Sequence, residues 1–197
     1  MRILGLDLSL RSTGYVLLDD QVLEDVVLHG RVDASEVNGV DRLQQFDDWI
    51  RDMLFGPVPR VEGPRPKMSL AAARKYQPRV DVVAIEGYSY GSPQAHTRAF
   101  GIGELGGVIK LAIHQAGIPI HIIAANTWKM QLCGKGGLAK DLCRLEIFKR
   151  YGVEFPSQDT LDAWAVAMTL RRQLLGLDKP APKIKKPKAA PLLEAMA

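Results

Sequence analysis

Cysteine is nearly absent: Cys133 and Cys143 are the only two in 197 residues, and they form no CxxC pair. A disulfide framework is therefore excluded, and so is a zinc site, because no Cys/His group has ligand spacing. Two reduced thiols acting as small hydrophobes is the reading that remains. Histidine is also sparse. His29, His96, His114 and His121 are scattered and none is matched to a nucleophile, so no relay for nucleophilic catalysis is legible. No apolar run reaches the roughly 20 residues needed to cross a bilayer. Residues 1–6 are too short a stretch before Asp7 to form a signal-peptide core, and the expected location is the cytoplasm. No internal repeat is visible. Acids are in slight deficit, 22 against 26 Lys and Arg, for a net charge of +4. That balance suits a polyanionic partner without requiring one.

What is present is an ordinary globular composition, 47% hydrophobic and 24% charged. The length suits one domain with a full core and is short for two. We assign that domain to residues 1–177 and expect a disordered Lys/Pro-rich tail over 178–197. Residues 2–8 read as a buried strand, Ser12-Thr13-Gly14 as a turn, 15–18 as a second strand and 22–32 as a third, in an antiparallel meander. Leu43, Phe46, Ile50 and Leu54 recur at helical spacing, predicting an amphipathic helix over 39–54 that Gly56-Pro57 ends. Residues 57–80 carry many prolines and bases and read as an irregular basic loop, with a short helix allowed at 69–75. Residues 80–86 are a β-branched run, as for a strand buried on both faces. A helix over 93–116, a strand over 118–123 and helices over 138–151 and 157–175 follow. The order predicts an α/β domain with a mixed sheet.

Four acids stand out. Asp7 closes the first strand, where a carboxylate either caps the next turn or points into a site at the sheet edge. Glu86 closes the Val82-Val83-Ala84-Ile85 run, and burial there demands either an ion pair or a bound cation. Asp159 and Asp162 are three residues apart on one helix, which puts them on one face. Asp159 also suits a helix start behind a Ser157 cap. Asp162 lies further in, beside Trp164 and Ala165. Three or four carboxylates from neighbouring elements match what two hard cations roughly 4 Å apart need in order to clamp a phosphodiester.

The segment Ile3-Leu4-Gly5-Leu6-Asp7-Leu8-Ser9, followed by Thr13-Gly14-Tyr15, resembles the opening of RuvC Holliday junction resolvases. Ala84-Ile85-Glu86 resembles their second acidic strand, and Asp159-Thr160-Leu161-Asp162-Ala163-Trp164-Ala165 their last D-x-x-D-A-x-A helix. Between them, 124–129 and 136–140 fall where that family has basic, DNA-contacting residues. The resemblance covers roughly residues 1–175, and the order and spacing of the motifs make it specific. It implies an RNase H-like fold with a five-stranded mixed sheet, a homodimer, and two Mg²⁺ or Mn²⁺ ions per active site held by Asp7, Glu86, Asp159 and Asp162. It implies paired symmetric nicks in four-way DNA junctions, leaving 5′-phosphate and 3′-hydroxyl ends. Lys129 and Lys140 are then expected near the scissile phosphate or on the backbone, with Lys140 counted in the catalytic group. Lys135, Arg74, Lys75, Tyr88 and Tyr90 are further expected DNA contacts; Arg98 and Lys110 could extend the same basic face. The chain departs from the family in its longer 57–80 loop, its Lys-rich tail and the offset of Tyr88 and Tyr90 after the second acid. Those departures suit a phage or otherwise divergent member.

Other patterns are weaker. Gly101-Ile102-Gly103-Glu104-Leu105-Gly106 matches GxGxxG, but inside a helix rather than between a strand and a helix, which argues for close helix packing and against a dinucleotide. Gly134-Lys135-Gly136-Gly137 lacks Walker spacing. Gly5-Leu6-Asp7-Leu8-Ser9 also resembles the phosphate loop of actin-like and sugar-kinase proteins, but those need a second such domain, and none is visible. A noncatalytic junction-binding scaffold is the remaining alternative, and the presence of all four acids argues against it.

Overall fold

The structure is a computed structural model that describes residues 1–19, 26–56, 79–88 and 93–182, the side chains of 93–98 excepted. Arg74, Lys75, Tyr90, nearly all of the basic loop and the tail from 183 onward lie outside the described residues.

Strands β1 (Arg2–Asp7), β2 (Ser12–Asp19) and β3 (Val26–Asp33) form the meander, followed by helix α1 (Gly39–Phe55). Strand β4 (Val82–Glu86), helix α2 (Pro93–Gln115) and strand β5 (Ile120–Ile123) come next. The chain continues through a short helix α3 (Ala125–Trp128), a π-helical turn (Lys129–Cys133), helix α4 (Lys140–Tyr151) and helix α5 (Gln158–Leu174). The five strands form one mixed sheet in the order β3-β2-β1-β4-β5. The first three are antiparallel, and β4 joins β1 and β5 in parallel.

Side chains alternate between the two faces of a strand, and that alternation builds two cores. Leu4 and Leu6 of β1, with Val83 and Ile85 of β4, pack under α1 and α2 against Phe46, Ile50, Leu105 and Ile109. Ile3, Val82 and Ala84 pack on the other face with α5 and the α3–α4 region. The same alternation turns Gly5, Asp7 and Glu86 toward the α5 face.

Helix α5 meets the strand backbone directly at two glycines. A Cβ on Gly5 would overlap the carbonyl oxygen of Ala163 and come within 2.8 Å of Ala167 Cβ. A Cβ on Gly14 would overlap the backbone of Asp159. The two glycines thus let a helix of small residues lie directly on β1 and β2, with Ala163, Ala165 and Ala167 fully buried.

The expected turn at Ser12-Thr13-Gly14 is corrected: those residues open β2, and the turn falls at 8–11. The Thr13 hydroxyl closes that turn, accepting from Ser9 N at 3.2 Å and donating to Ser9 O at 3.1 Å. Gly14 is there for close packing rather than for turning. The short helix and π turn at 125–133 were not legible as elements. Gly134, at φ 80°, ends the turn in the left-handed region that glycine favours. Residues 178–182, assigned by sequence to the tail, lie on the body: Ala181 N donates to Gln131 O at 3.1 Å, and Arg150 Nη2 to Pro182 O at 3.0 Å. Among the described residues no helix is long and apolar enough to cross a membrane.

Candidate metal centre

Asp7 and Glu86 terminate adjacent parallel strands, one step beyond the Leu6–Ile85 pair, and project from the same face. Helix α5, brought in close by Gly5 and Gly14, delivers Asp162 to the same point. Ligand oxygens of Asp7, Glu86 and Asp162 all lie within 4.8 Å of one another. The three carboxylates line a cleft of about 510 Å³, walled by Leu8, Tyr88, Ile102, Trp128, Lys129 and Lys140 among others.

Crowding of like charge defines the electrostatics. Burial pushes Asp7 well above the usual carboxylate range; the charge of Glu86 and a hydrogen bond with it add to the rise, as do the charges of Asp162 and Asp159. Asp162 is also raised, by burial and then by Glu86, against the opposing pull of Lys140 and Gln158. Its side chain is only 2% exposed. It is held on both oxygens, Lys140 Nζ donating to Oδ2 at 3.2 Å and Gln158 Nε2 to Oδ1 at 2.7 Å. Burial draws the Lys140 ammonium down, but Asp162, Asp7 and Glu86 together outweigh it and keep the group above its ordinary pKa. One lysine does not neutralise three carboxylates. An oxygen-only donor set of this size, with excess negative charge, fits a hard divalent cation.

Asp159 stands apart from the other three. Its Oδ2 accepts from Ser12 Oγ at 3.2 Å and lies 4.0 Å from Arg31 Nη1. Ser157 caps the helix beneath it, accepting from Thr160 N. Three residues of helix rotate a side chain by about 300° and raise it by about 4.5 Å, enough to turn Asp159 toward β2 and β3 while Asp162 faces β1 and β4. Its charge still reaches Asp7.

Lys129 and Lys140 both line the cleft. Lys129 Nζ lies over the Trp128 ring at 5.5 Å and donates to Leu138 O at 3.2 Å. Lys135 is exposed in the loop between the π turn and α4. Tyr88 lines the cleft but is tied to α2: Lys110 Nζ donates to its hydroxyl at 3.4 Å and sits 4.8 Å from its ring centroid. The GxGxxG segment lies within α2, and a Cβ on Gly106 would overlap the Tyr88 hydroxyl. That glycine makes room for a phenol.

Two residues of the site escaped sequence reasoning. Gln158 orients Asp162, and its i,i+4 spacing to Asp162 was an available signal. Trp128 Nε1 donates to Glu86 Oε1 at 3.0 Å, across 42 residues of chain, and no local pattern marks such a contact.

No protein-family model matches the chain, and no curated protein matches it by sequence. Solved structures do match. The structure described as Thermus thermophilus RuvC in complex with Holliday junction substrate is 19% identical; the alignment covers 92% of this chain and 99% of that one, with a TM-score of 0.64. A second Thermus thermophilus RuvC structure is 20% identical, with coverage of 92% and 100% and a TM-score of 0.63. The described residues therefore have the RuvC-like, RNase H-like fold, as the sequence motifs implied.

Proposed function

We propose that this chain is a metal-dependent, structure-selective DNA endonuclease that resolves four-way junctions by paired symmetric nicks. The observation that carries this reading is the convergence of Asp7, Glu86 and Asp162 beside Lys140, at the floor of an open cleft on a RuvC-like fold. Asp7, Glu86 and Asp162 would hold Mg²⁺ or Mn²⁺, which when bound supplies Lewis-acid charge and a water acidic enough to attack phosphorus. Asp159, whose charge already reaches Asp7, is the fourth carboxylate of the set and would help hold a second ion.

The chain's own residues do the remaining work. Lys140 stays protonated and presents its ammonium at the edge of the carboxylate group, where it can bind a phosphate oxygen and offset charge as the bond breaks. Gln158 keeps Asp162 from turning away. Lys129 is held at the rim by Trp128 and Leu138 O, a second cation for the strand entering the cleft. Lys135 extends this basic edge, and Arg74, Lys75 and Tyr90, which lie outside the described residues, are proposed as further DNA contacts. Contacts of this kind give affinity to any backbone and position it without reading sequence. Hydrolysis would leave 5′-phosphate and 3′-hydroxyl ends.

Symmetric nicking of a two-fold junction calls for two active sites related by symmetry. One face of α2 suits that role. Phe100 is 85% exposed and Leu111 55%, and between them an added Cβ on Gly103 or Gly107 would meet no other segment of the chain within 4 Å among the described residues. Their spacing of three and four residues makes a single stripe, on which a second copy can pack closely.

The test is a synthetic four-way junction compared with a linear duplex of the same arms, incubated with Mg²⁺. The native chain should nick the junction in symmetric pairs and leave the duplex intact. Asp7→Asn should bind the junction and fail to cut it. Undiminished cutting by Asp7→Asn would overturn the assignment.

A further inference from the structure

Trp128 occupies an unusual place for a large aromatic residue. Its side chain is 1% exposed and packs in the α5-side core with Leu132, Leu138, Cys143 and Leu161. An indole N–H is a donor only, and burying it without an acceptor costs about 1–3 kcal/mol. In this fold the acceptor is not a backbone carbonyl but Oε1 of Glu86, at 3.0 Å. The bond is charge-assisted and joins a core residue to a carboxylate of the candidate centre. Trp128 also ends α3, and the chain passes from it directly into the π turn Lys129–Cys133. Such turns recur at functional sites because they re-aim side chains within a helix. Here the turn returns Lys129 over the indole face at 5.5 Å. One ring thus fixes a carboxylate through its edge and carries a cleft cation over its face.

We infer that Trp128 is the positioning residue of the metal centre. Its indole N–H locks Glu86 in the orientation that meets Asp7 and Asp162, and its ring holds Lys129 at the rim. This rests on the metal-centre reading above and adds to it a determinant of affinity outside the carboxylates. Glu86 is the last residue of β4 and has rotamer freedom that its strand does not remove. Without a partner of fixed position its carboxylate could swing away from Asp7 to relieve repulsion. The indole, 1% exposed and packed in the α5-side core, prevents that. Partners that orient ligands in this way typically account for about 10–100-fold in metal affinity.

The test uses the full chain without DNA and Mn²⁺ alone as the probe, followed by calorimetric titration. Trp128→Phe should bind Mn²⁺ about 10–100-fold more weakly than the native chain. Trp164→Phe is the control: Trp164 is equally buried but packs against Tyr151 and Phe155, so its change loosens the same core and should leave Mn²⁺ affinity unchanged. In a chain labelled with 5-fluorotryptophan, the ¹⁹F resonance missing from Trp128→Phe should be the one of the three that shifts most when Mg²⁺ is added. Asp7→Asn completes the set. If Asp7→Asn loses Mn²⁺ binding while Trp128→Phe keeps native affinity, the positioning role is overturned and the metal centre stands. Equal loss in Trp128→Phe and Trp164→Phe would assign the effect to core packing and overturn the role as well. If Asp7→Asn binds as tightly as the native chain, the metal centre fails, and this inference with it.

Discussion

Replacing Asp7 by Asn should stabilise the metal-free protein while destroying its activity. Asp7 is half-buried and faces Glu86 and Asp162 with ligand oxygens no more than 4.8 Å apart. Two unit charges at that separation repel by roughly 3.5 kcal/mol at an effective dielectric near 20. Lys140 on Asp162 and the indole N–H on Glu86 offset part of this, leaving about 2 kcal/mol to be relieved by a neutral side chain of the same shape. For a chain of this size each kcal/mol moves Tm by about 2–4 °C. Asp7→Asn should therefore melt about 4–8 °C above the native chain in EDTA at pH 7.5. The pH dependence has a definite sign. The folded-state pKa of Asp7 lies above the ordinary 3.8, so below 3.8 both states are protonated and the two proteins differ little. As pH rises through 3.8 toward the raised folded value, the unfolded chain releases its proton first and native stability falls. The gap should open over that window and stay constant above it. Saturating Mg²⁺ should narrow it, since ligand at 100 times its Kd adds about 2.7 kcal/mol to whichever protein binds it. Differential scanning calorimetry with and without Mg²⁺ across that range measures all of this. If Asp7→Asn melts at or below the native temperature in EDTA at pH 7.5, the carboxylates are not in electrostatic conflict and the case for a cation is lost.

Two further outcomes follow from the packing. Gly5→Ala forces a methyl into the Ala163 carbonyl, where neither backbone can yield cheaply; it should destabilise by about 3 kcal/mol, seen as a fall in melting temperature of about 6–12 °C. Leu111→Arg places a charge on the α2 stripe, where Leu111 itself is 55% exposed. By light scattering after size exclusion it should shift a dimer to monomer without lowering Tm of the fold, and junction products should change from paired to single nicks; an unchanged mass would remove α2 from the interface.

Strand and helix periodicity are properties of neighbouring residues, and so they were legible. The apolar runs ending at Asp7 and Glu86 predicted two core strands closed by carboxylates; the register between β1 and β4, which only the fold supplies, puts both acids on one face. Leu43, Phe46, Ile50 and Leu54 predicted α1 within a residue or two of its ends. Motif order predicted the fold that the structural matches show. What sequence could not supply was the approach between elements. Asp159 and Asp162 share a helix and a motif, yet only Asp162 meets Asp7, because Gly5 and Gly14 set where α5 lands and the rotation between the two positions does the rest. Ser12-Thr13-Gly14 reads locally as a turn, and the helix packed on Gly14 makes it strand. The glycines of α2 suggested close packing in general, and only the fold shows Gly106 giving its space to Tyr88. Trp128 was visible as a residue beside a lysine, but its acceptor lies 42 positions away. Local spacing determined which carboxylates were available, and contacts between distant segments decided which of them are held together and by what.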